Sequence, residues 1–257
     1  LMSDDAIITL DSISKAYGDF QALQDINLVI RPGTVTCILG DNGAGKSTLI
    51  KILAGLHPPT SGDMLIDDVP VTFTAPADAL AAGIATVYQD LAVVGQMSVW
   101  RNFFLGQELV HGFLETLRID EMRKITLQQL ADMGVELPNV DIPISHLSGG
   151  QRQVVAIARA IYFGARVVIL DEPTAALGVK QSGMVLRYVN AARKRGIAVV
   201  LITHNPHHAH LVGDYFTVLN MGQQVLNAKW TDVSVDDLAL QMAGGGELSA
   251  LEHELQR

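Results

Sequence analysis

A single cysteine, Cys37, occurs in 257 residues, so no internal disulfide can form and the chain reads as one kept in a reducing compartment. Cys37 falls in the apolar run Thr34 to Leu39, where its natural role is that of a small buried hydrophobe. Long hydrophobic runs are missing too. Stretches such as Ala198 to Ile202 and Val167 to Leu170 are strand-sized and fall far short of the ~20 residues of a membrane helix. Leu1 to Asp5 lacks the basic and then apolar run of a secretory signal, which points to the cytosol. Positive charge is scarce: 18 Lys and Arg stand against 27 Asp and Glu, a formal net charge of −9. That balance opposes binding to nucleic acid or anionic lipid, so any attachment to a membrane is expected to run through a protein partner. Aromatic residues make up only 5% of the chain while hydrophobic residues reach 49%. The core must therefore rest on Ala, Val, Ile and Leu, as in α/β proteins whose sheets are covered on both faces.

What is present begins with strands at Ile7 to Leu10, Ile26 to Ile30 and Val35 to Leu39, with Gly18 and Pro32-Gly33 at turns. After Lys46, residues Leu49, Ile50, Ile52 and Leu53 fall at helical spacing until Gly55 and Pro58-Pro59 end the helix. Met64 to Ile66 and Ile84 to Tyr88 read as strands on either side of an Ala-rich helix at Ala75 to Ala82. From about Val99 to Tyr162 the pattern is helical with no convincing strand, as for a helical subdomain inserted into an α/β core. Val167 to Leu170, a helix from Gln181 to Arg195, Val199 to Thr203 and a short helix after Pro206 restore the alternation. Such alternation predicts parallel strands joined by right-handed crossovers. A short helical pattern from about Thr231 precedes Gly244-Gly245-Gly246 and a charged tail, 244–257, expected to be mobile. No internal repeat is visible, so a single unit is expected and not two fused in tandem.

The third strand runs into Gly40-Asp41-Asn42-Gly43-Ala44-Gly45-Lys46-Ser47, followed by Thr48, which matches the P-loop pattern. Glycines let successive backbone N–H groups point at phosphate oxygens, and the helix that follows adds its positive end. Lys46 is suited to pair with the β- and γ-phosphates and Ser47 to ligate Mg²⁺. A second site lies at Asp171-Glu172, which closes the apolar strand Val167 to Leu170. A parallel strand delivers both carboxylates to the C-terminal edge of its sheet, where ligands bind. Asp171 is then placed to hold Mg²⁺ through water, and Glu172 to take a proton from an attacking water. The pair could instead simply cap a strand, a reading that the nearby P-loop disfavours.

Leu147-Ser148-Gly149-Gly150-Gln151 precedes an apolar helix with Val154, Val155, Ile157, Ala158 and Ile161. Ser148 is an N-cap candidate, and the glycines allow close approach to a phosphate. With the P-loop, the Asp-Glu strand end and His204 after a late strand, this order resembles the nucleotide-binding subunit of ABC transporters, from about Ile7 to Gln224. The resemblance implies a P-loop NTPase (RecA-like) α/β core with an N-terminal antiparallel β subdomain and an inserted α-helical subdomain. It implies one ATPase domain over 5–243: core at about 5–98 and 163–225, helical subdomain at about 99–162, and a C-terminal helix at about 226–243. It also implies ATP and Mg²⁺ as cofactors, and Ser148, Gly149, Gly150 and Gln151 reaching the γ-phosphate held by a second copy in a head-to-tail homodimer. By the same resemblance Tyr17 stacks on adenine, Gln89 touches Mg²⁺ and the attacking water and senses the membrane partner, and His204 contacts the γ-phosphate.

Glu172 to Gly183, Gln89-Asp90-Leu91-Ala92 and Asn102 to Gly106 resemble importers of ribose and fructose. That implies permease subunits, a separate sugar-binding protein and a place on the inner face of the membrane. The family commonly carries Asp where this chain has Gly178, in the loop that couples two ATP sites. His207, His208 and His210 suggest a metal site, but Pro206 breaks the geometry and no Cys or carboxylate cluster accompanies them. The rival function is a soluble ABC ATPase of the iron–sulfur assembly type. DNA-repair and ribosomal types are disfavoured because a long heptad insert and a second motor unit are both missing from the sequence.

Overall fold

A computed structural model describes residues 5–112, 116–175 and 177–244. In chain order these form β1 (Ile8–Tyr17), β2 (Phe20–Ile30), β3 (Val35–Leu39), α1 (Lys46–Leu53), β4 (Ser61–Ile66), β5 (Val69–Val71), α2 (Pro76–Ala81) and β6 (Ile84–Val87). Then come α3 (Val99–Phe104), β7 (Val110–His111), β8 (Thr116–Leu117), α4 (Ile119–Asp132), α5 (Gly149–Tyr162), β9 (Val167–Asp171) and α6 (Val179–Lys194). β10 (Ala198–Thr203), α7 (Pro206–Val212), β11 (Tyr215–Asn220), β12 (Gln223–Lys229) and α8 (Val235–Met242) complete the described chain.

Ten strands share one sheet in the order β5-β4-β1-β2-β12-β11-β3-β10-β9-β6. β11, β3, β10, β9 and β6 pair parallel, whereas β1, β2, β4 and β5 pair antiparallel. A single parallel residue pair, Gln223 with Gln24, joins the two halves, helped by the Gln224 amide donating to the Asn27 carbonyl at 2.8 Å.

The central strands are apolar at nearly every position because both faces are covered. Val35, Cys37, Leu39, Val168, Leu170, Val199 and Leu201 point into one core with α5 to α8. Ile38, Val167, Ile169, Ala198, Val200 and Ile202 point into the other, against α1 and the antiparallel strands. This is the two-residue alternation of a strand carried through three neighbours. α1 delivers Leu49, Ile50, Ile52 and Leu53 to the second core and ends at Gly55, whose N–H donates to Ile52 at 3.0 Å. α3 is anchored by fully buried Phe103 and Phe104, which pack on Tyr162 and Phe163 at the end of α5. Removing one such ring costs about 3–5 kcal/mol.

The strandless stretch expected between 99 and 162 contains the hairpin β7–β8, whose four described residues are all exposed and so carry no alternating pattern. The C-terminal helix expected over about 226–243 is shorter: β12 runs to Lys229 and α8 starts at Val235. β11, buried on both faces, had no counterpart among the expected strands. β1 and β2 also run past the expected strands, to Tyr17 and from Phe20. The tail lies outside the described residues from 245 onward.

Candidate nucleotide site

Parallel pairing sets the C-terminal ends of β3, β10, β9 and β6 side by side. Leu39 pairs with Thr203, Ile202 with Asp171 and Leu170 with Val87. The loop Gly40 to Ser47, His204, Asp171-Glu172 and Gln89 therefore leave one sheet edge at nearly one level, where such sheets bind ligands.

The first loop is built so that only glycine fits at two positions. Gly40 has φ 149° and Gly45 φ 108°, both left-handed. A Cβ at Gly40 would overlap the Leu219 carbonyl, and one at Gly45 would lie 2.7 Å from Leu23 Cδ2. The loop is thus pressed onto β2 and β11, and the Gly222 N–H donates to the Ala44 carbonyl at 3.0 Å. Gly45 is the N-cap of α1, so the first-turn amides of Lys46 and Ser47 have no partner within the helix. Asp41, Asn42, Gly43 and Ser47 are exposed, Ala44 is buried and Thr48 half-buried.

Lys46 is buried and donates from Nζ to the carbonyls of Gly40, at 2.5 Å, and Asp41, at 3.1 Å. The same ammonium lies 3.9 Å from Oε1 of Glu172. Oε2 of Glu172 lies 2.9 Å from Nδ1 of His204. One carboxylate thus links a side chain from α1 to one from the end of β10. Glu172 adopts φ 46°, uncommon for a residue with a side chain, and is held there by its N–H donating to the Ile202 carbonyl at 3.0 Å. Such backbone states cost about 1–3 kcal/mol and gather at functional sites.

Asp171 is half-buried, and its carboxyl titrates above the usual range, first because burial disfavours the charge and then because Glu172 is adjacent; Lys46 opposes both. A cation beside Asp171 relieves that penalty. Ser47, Asp171 and Gln89, which stands exposed two residues beyond β6, offer only hard oxygen donors, a set suited to Mg²⁺. The glycine-walled loop, a helix start and a buried ammonium suit a polyphosphate.

Tyr17 ends β1, is 41% exposed, and packs edge-on to His57 with Lys15 Nζ over its ring, which leaves ring surface open to stacking. Ser148 caps α5 reciprocally: its Oγ accepts from the Gln151 N–H at 3.3 Å, and Gln151 Oε1 accepts from the Ser148 N–H at 2.9 Å. A Cβ on Gly149 would lie 2.8 Å from Leu177 Cδ2, so this loop packs on the segment that follows Glu172. Among the described residues, no hydrogen bond or ion pair links Ser148–Gln151 to Gly40–Thr48.

The histidines of α7 diverge. Nδ1 of His208 lies 3.0 Å from Thr174 Oγ1, whereas His210 stacks on Phe216 and Nε2 lies 3.2 Å from the Val233 carbonyl. Sequence reasoning also passed over Asn102 as a site residue. Its buried amide accepts from the Val94 N–H at 2.8 Å and donates to the carbonyls of Val94, Met97 and Ser98, fixing the segment beyond Gln89. An uncharged amide between Trp100 and the pair Phe103-Phe104 was the available signal.

The ABC transporter family profile matches residues 23–175. The xylose/arabinose import ATP-binding protein of Sulfolobus acidocaldarius is 39% identical over 92% of this chain and 93% of its own length. The fructose import ATP-binding protein of Rhizobium meliloti is 38% identical over 96% of this chain and 97% of its own. A bacterial ABC transporter cassette solved as a dimer superposes with a TM-score of 0.72 at 27% identity, over 87% of this chain and 98% of that one.

Proposed function

The chain belongs to the ABC transporter family as an ATP-binding, ATP-hydrolysing subunit coupled to transport, and we propose that it energises import of a simple sugar of the fructose or ribose kind. The observation that carries the catalytic reading is the Lys46–Glu172–His204 chain at the end of the phosphate loop. Sugar import is supported by two relatives, each matched over more than nine-tenths of both lengths, that are import ATP-binding proteins for sugars. The non-transport alternative is not favoured by them.

In this proposal the amides of Gly40 to Thr48 and Lys46 bind the phosphates, and Tyr17 stacks on the base. Glu172 accepts a proton from water, with His204 orienting its carboxylate and reaching the γ-phosphate. Ser47, Gln89 and Asp171 would hold Mg²⁺, which when bound neutralises charge on the phosphate oxygens. Ser148, Gly149, Gly150 and Gln151 serve the nucleotide of a second copy, head to tail. That arrangement gives the signature loop a phosphate its own chain does not bring to it.

Closure of the two copies then drives the permease subunits, and a sugar-binding protein delivers the cargo. The domain division goes with this proposal: one motor over 5–243, with 99–162 as its inserted helical subdomain and Gln89 sensing the permease. The chain works from the cytoplasmic face, bound to its permease; no helix among the described residues is long and apolar enough to cross a membrane itself.

The test is uptake of radiolabelled monosaccharides by cells carrying this chain and its genomic neighbours. Uptake of one or more sugars should vanish with Glu172→Gln. Uptake that survives the substitution, or failure of any membrane subunit to copurify from cells that co-express the genomic neighbours, overturns the proposal.

A further inference from the structure

Two contacts, four residues apart on one side, clasp the segment after β9 to the segment after β10. His204 holds Glu172, and His208, four residues on in the first turn of α7, lies with Nδ1 3.0 Å from Oγ1 of Thr174. Thr174 is 8% exposed, so its hydroxyl has little water to turn to. The ring is placed by its own helix start: the Asn205 side chain caps α7 by accepting from the His208 N–H at 3.1 Å, and Pro206 occupies the first turn. Burial, followed by the neighbouring His207 and His204, lowers the His208 pKa and so favours a neutral ring beside the Thr174 hydroxyl.

The segment held in this way has work at both ends. Glu172 at its start stands in a strained φ that needs external support. Leu177 near its end packs against Gly149 of the signature loop, and the Leu177 N–H donates to the Thr174 carbonyl at 3.3 Å. Beyond it, Gly178 caps α6 with no side chain of its own to make a bond.

We propose that His208 is a positioning residue for hydrolysis: by fixing Thr174, whose carbonyl also accepts from the Leu177 N–H, it holds Glu172 and Leu177 in place, so that the Glu172 carboxylate and the signature loop keep a set relation. The inference rests on Glu172 being the base.

The experiment compares ATP hydrolysis by the full chain and by the variants His208→Ala, His208→Asn, Thr174→Val, Thr174→Ser and the double variant His208→Ala/Thr174→Val. Thr174→Val keeps the volume and removes the hydroxyl; the Ser and Asn variants keep a bonding group. His208→Ala and Thr174→Val should each lower kcat about tenfold, the effect of losing one well-placed hydrogen bond, with KM for ATP within about twofold. Thr174→Ser and His208→Asn should recover most of the rate, and the double variant should be no slower than either single one. Unchanged kcat in His208→Ala, multiplied losses in the double variant, or Thr174→Ser as slow as Thr174→Val overturns the proposal. Should His208→Ala fail to fold by circular dichroism, the Thr174→Val and Thr174→Ser pair decides alone. Glu172→Gln run alongside separates the two ideas: if it turns over normally, the base assignment has failed rather than the positioning role.

Discussion

Nδ1 of His204 lies 2.9 Å from Oε2 of Glu172, although 32 residues separate them. The carboxylate is 12% exposed and the imidazole 56%, so the pair has a buried end, 3.9 Å from Lys46, and an open end. Glu172→Gln keeps both the shape and a hydrogen-bonding oxygen while removing the proton acceptor. ATP should still bind, kcat should fall about 10²–10⁴-fold, and a dimer should accumulate with ATP. Phosphate release and light scattering with and without ATP check this, and a normal turnover rate would remove Glu172 from its role.

Two glycines should respond to alanine with opposite signs. Gly40→Ala forces a Cβ against the Leu219 carbonyl and within 2.8 Å of Ala44 Cβ, at a left-handed φ. A backbone carbonyl cannot swing aside, so a loss of about 1–3 kcal/mol is expected. Gly183, inside α6 with nothing within 4 Å of an added Cβ, should gain about 0.5–1 kcal/mol. Urea titration of both variants reads the two signs.

Cys37 is fully buried, with Sγ 3.7 Å from the Ala209 carbonyl. Burial, aided by the negative charge of Asp214, pushes its thiol far above the usual range. Labelling by a thiol reagent at pH 8 should be negligible in the native protein and appear in step with unfolding in urea. Rapid native labelling would contradict the burial of β3.

Arg166 at the start of β9 forms two hydrogen bonds to Asp67 in the β4–β5 turn, at 2.7 and 2.6 Å. That bonding holds the Asp67 carboxyl below its ordinary pKa. A depressed carboxyl stabilises the fold above its unfolded pKa, and the contribution is lost as pH falls through the folded value. Both side chains are about half exposed, so Arg166→Ala should cost less than about 1 kcal/mol at pH 7. The gap between wild type and variant in urea titrations should close as the pH falls below that folded value; a gap that widens there would be inconsistent with the pairing.

Contiguous features were legible because their physics is local. Gly40 to Ser47 is a turn followed by a helix start, and Ser148 with Gln151 caps one helix through atoms three residues apart. The apolar runs of β3, β9 and β10 are themselves the record of a sheet covered on both faces. Less was legible where residues barely touch a core: the exposed β7–β8 hairpin has no periodicity to detect. β12 alternates only exposed and half-buried residues, a weak strand signal, and its second half falls within the C-terminal helix, 226–243, that the family resemblance implied.

By itself, then, the sequence determined that the chain holds a glycine-rich loop of the P-loop pattern, an acidic strand end and a capped glycine signature, since each is complete within a few consecutive residues. Tertiary structure alone decided that Lys46, Glu172 and His204 form one chain of contacts, that His208 turns to Thr174, and that, among the described residues, no hydrogen bond or ion pair links the signature loop to its own phosphate loop. These depend on strand order and register, which place residues far apart in sequence at one sheet edge, and no local pattern encodes that order.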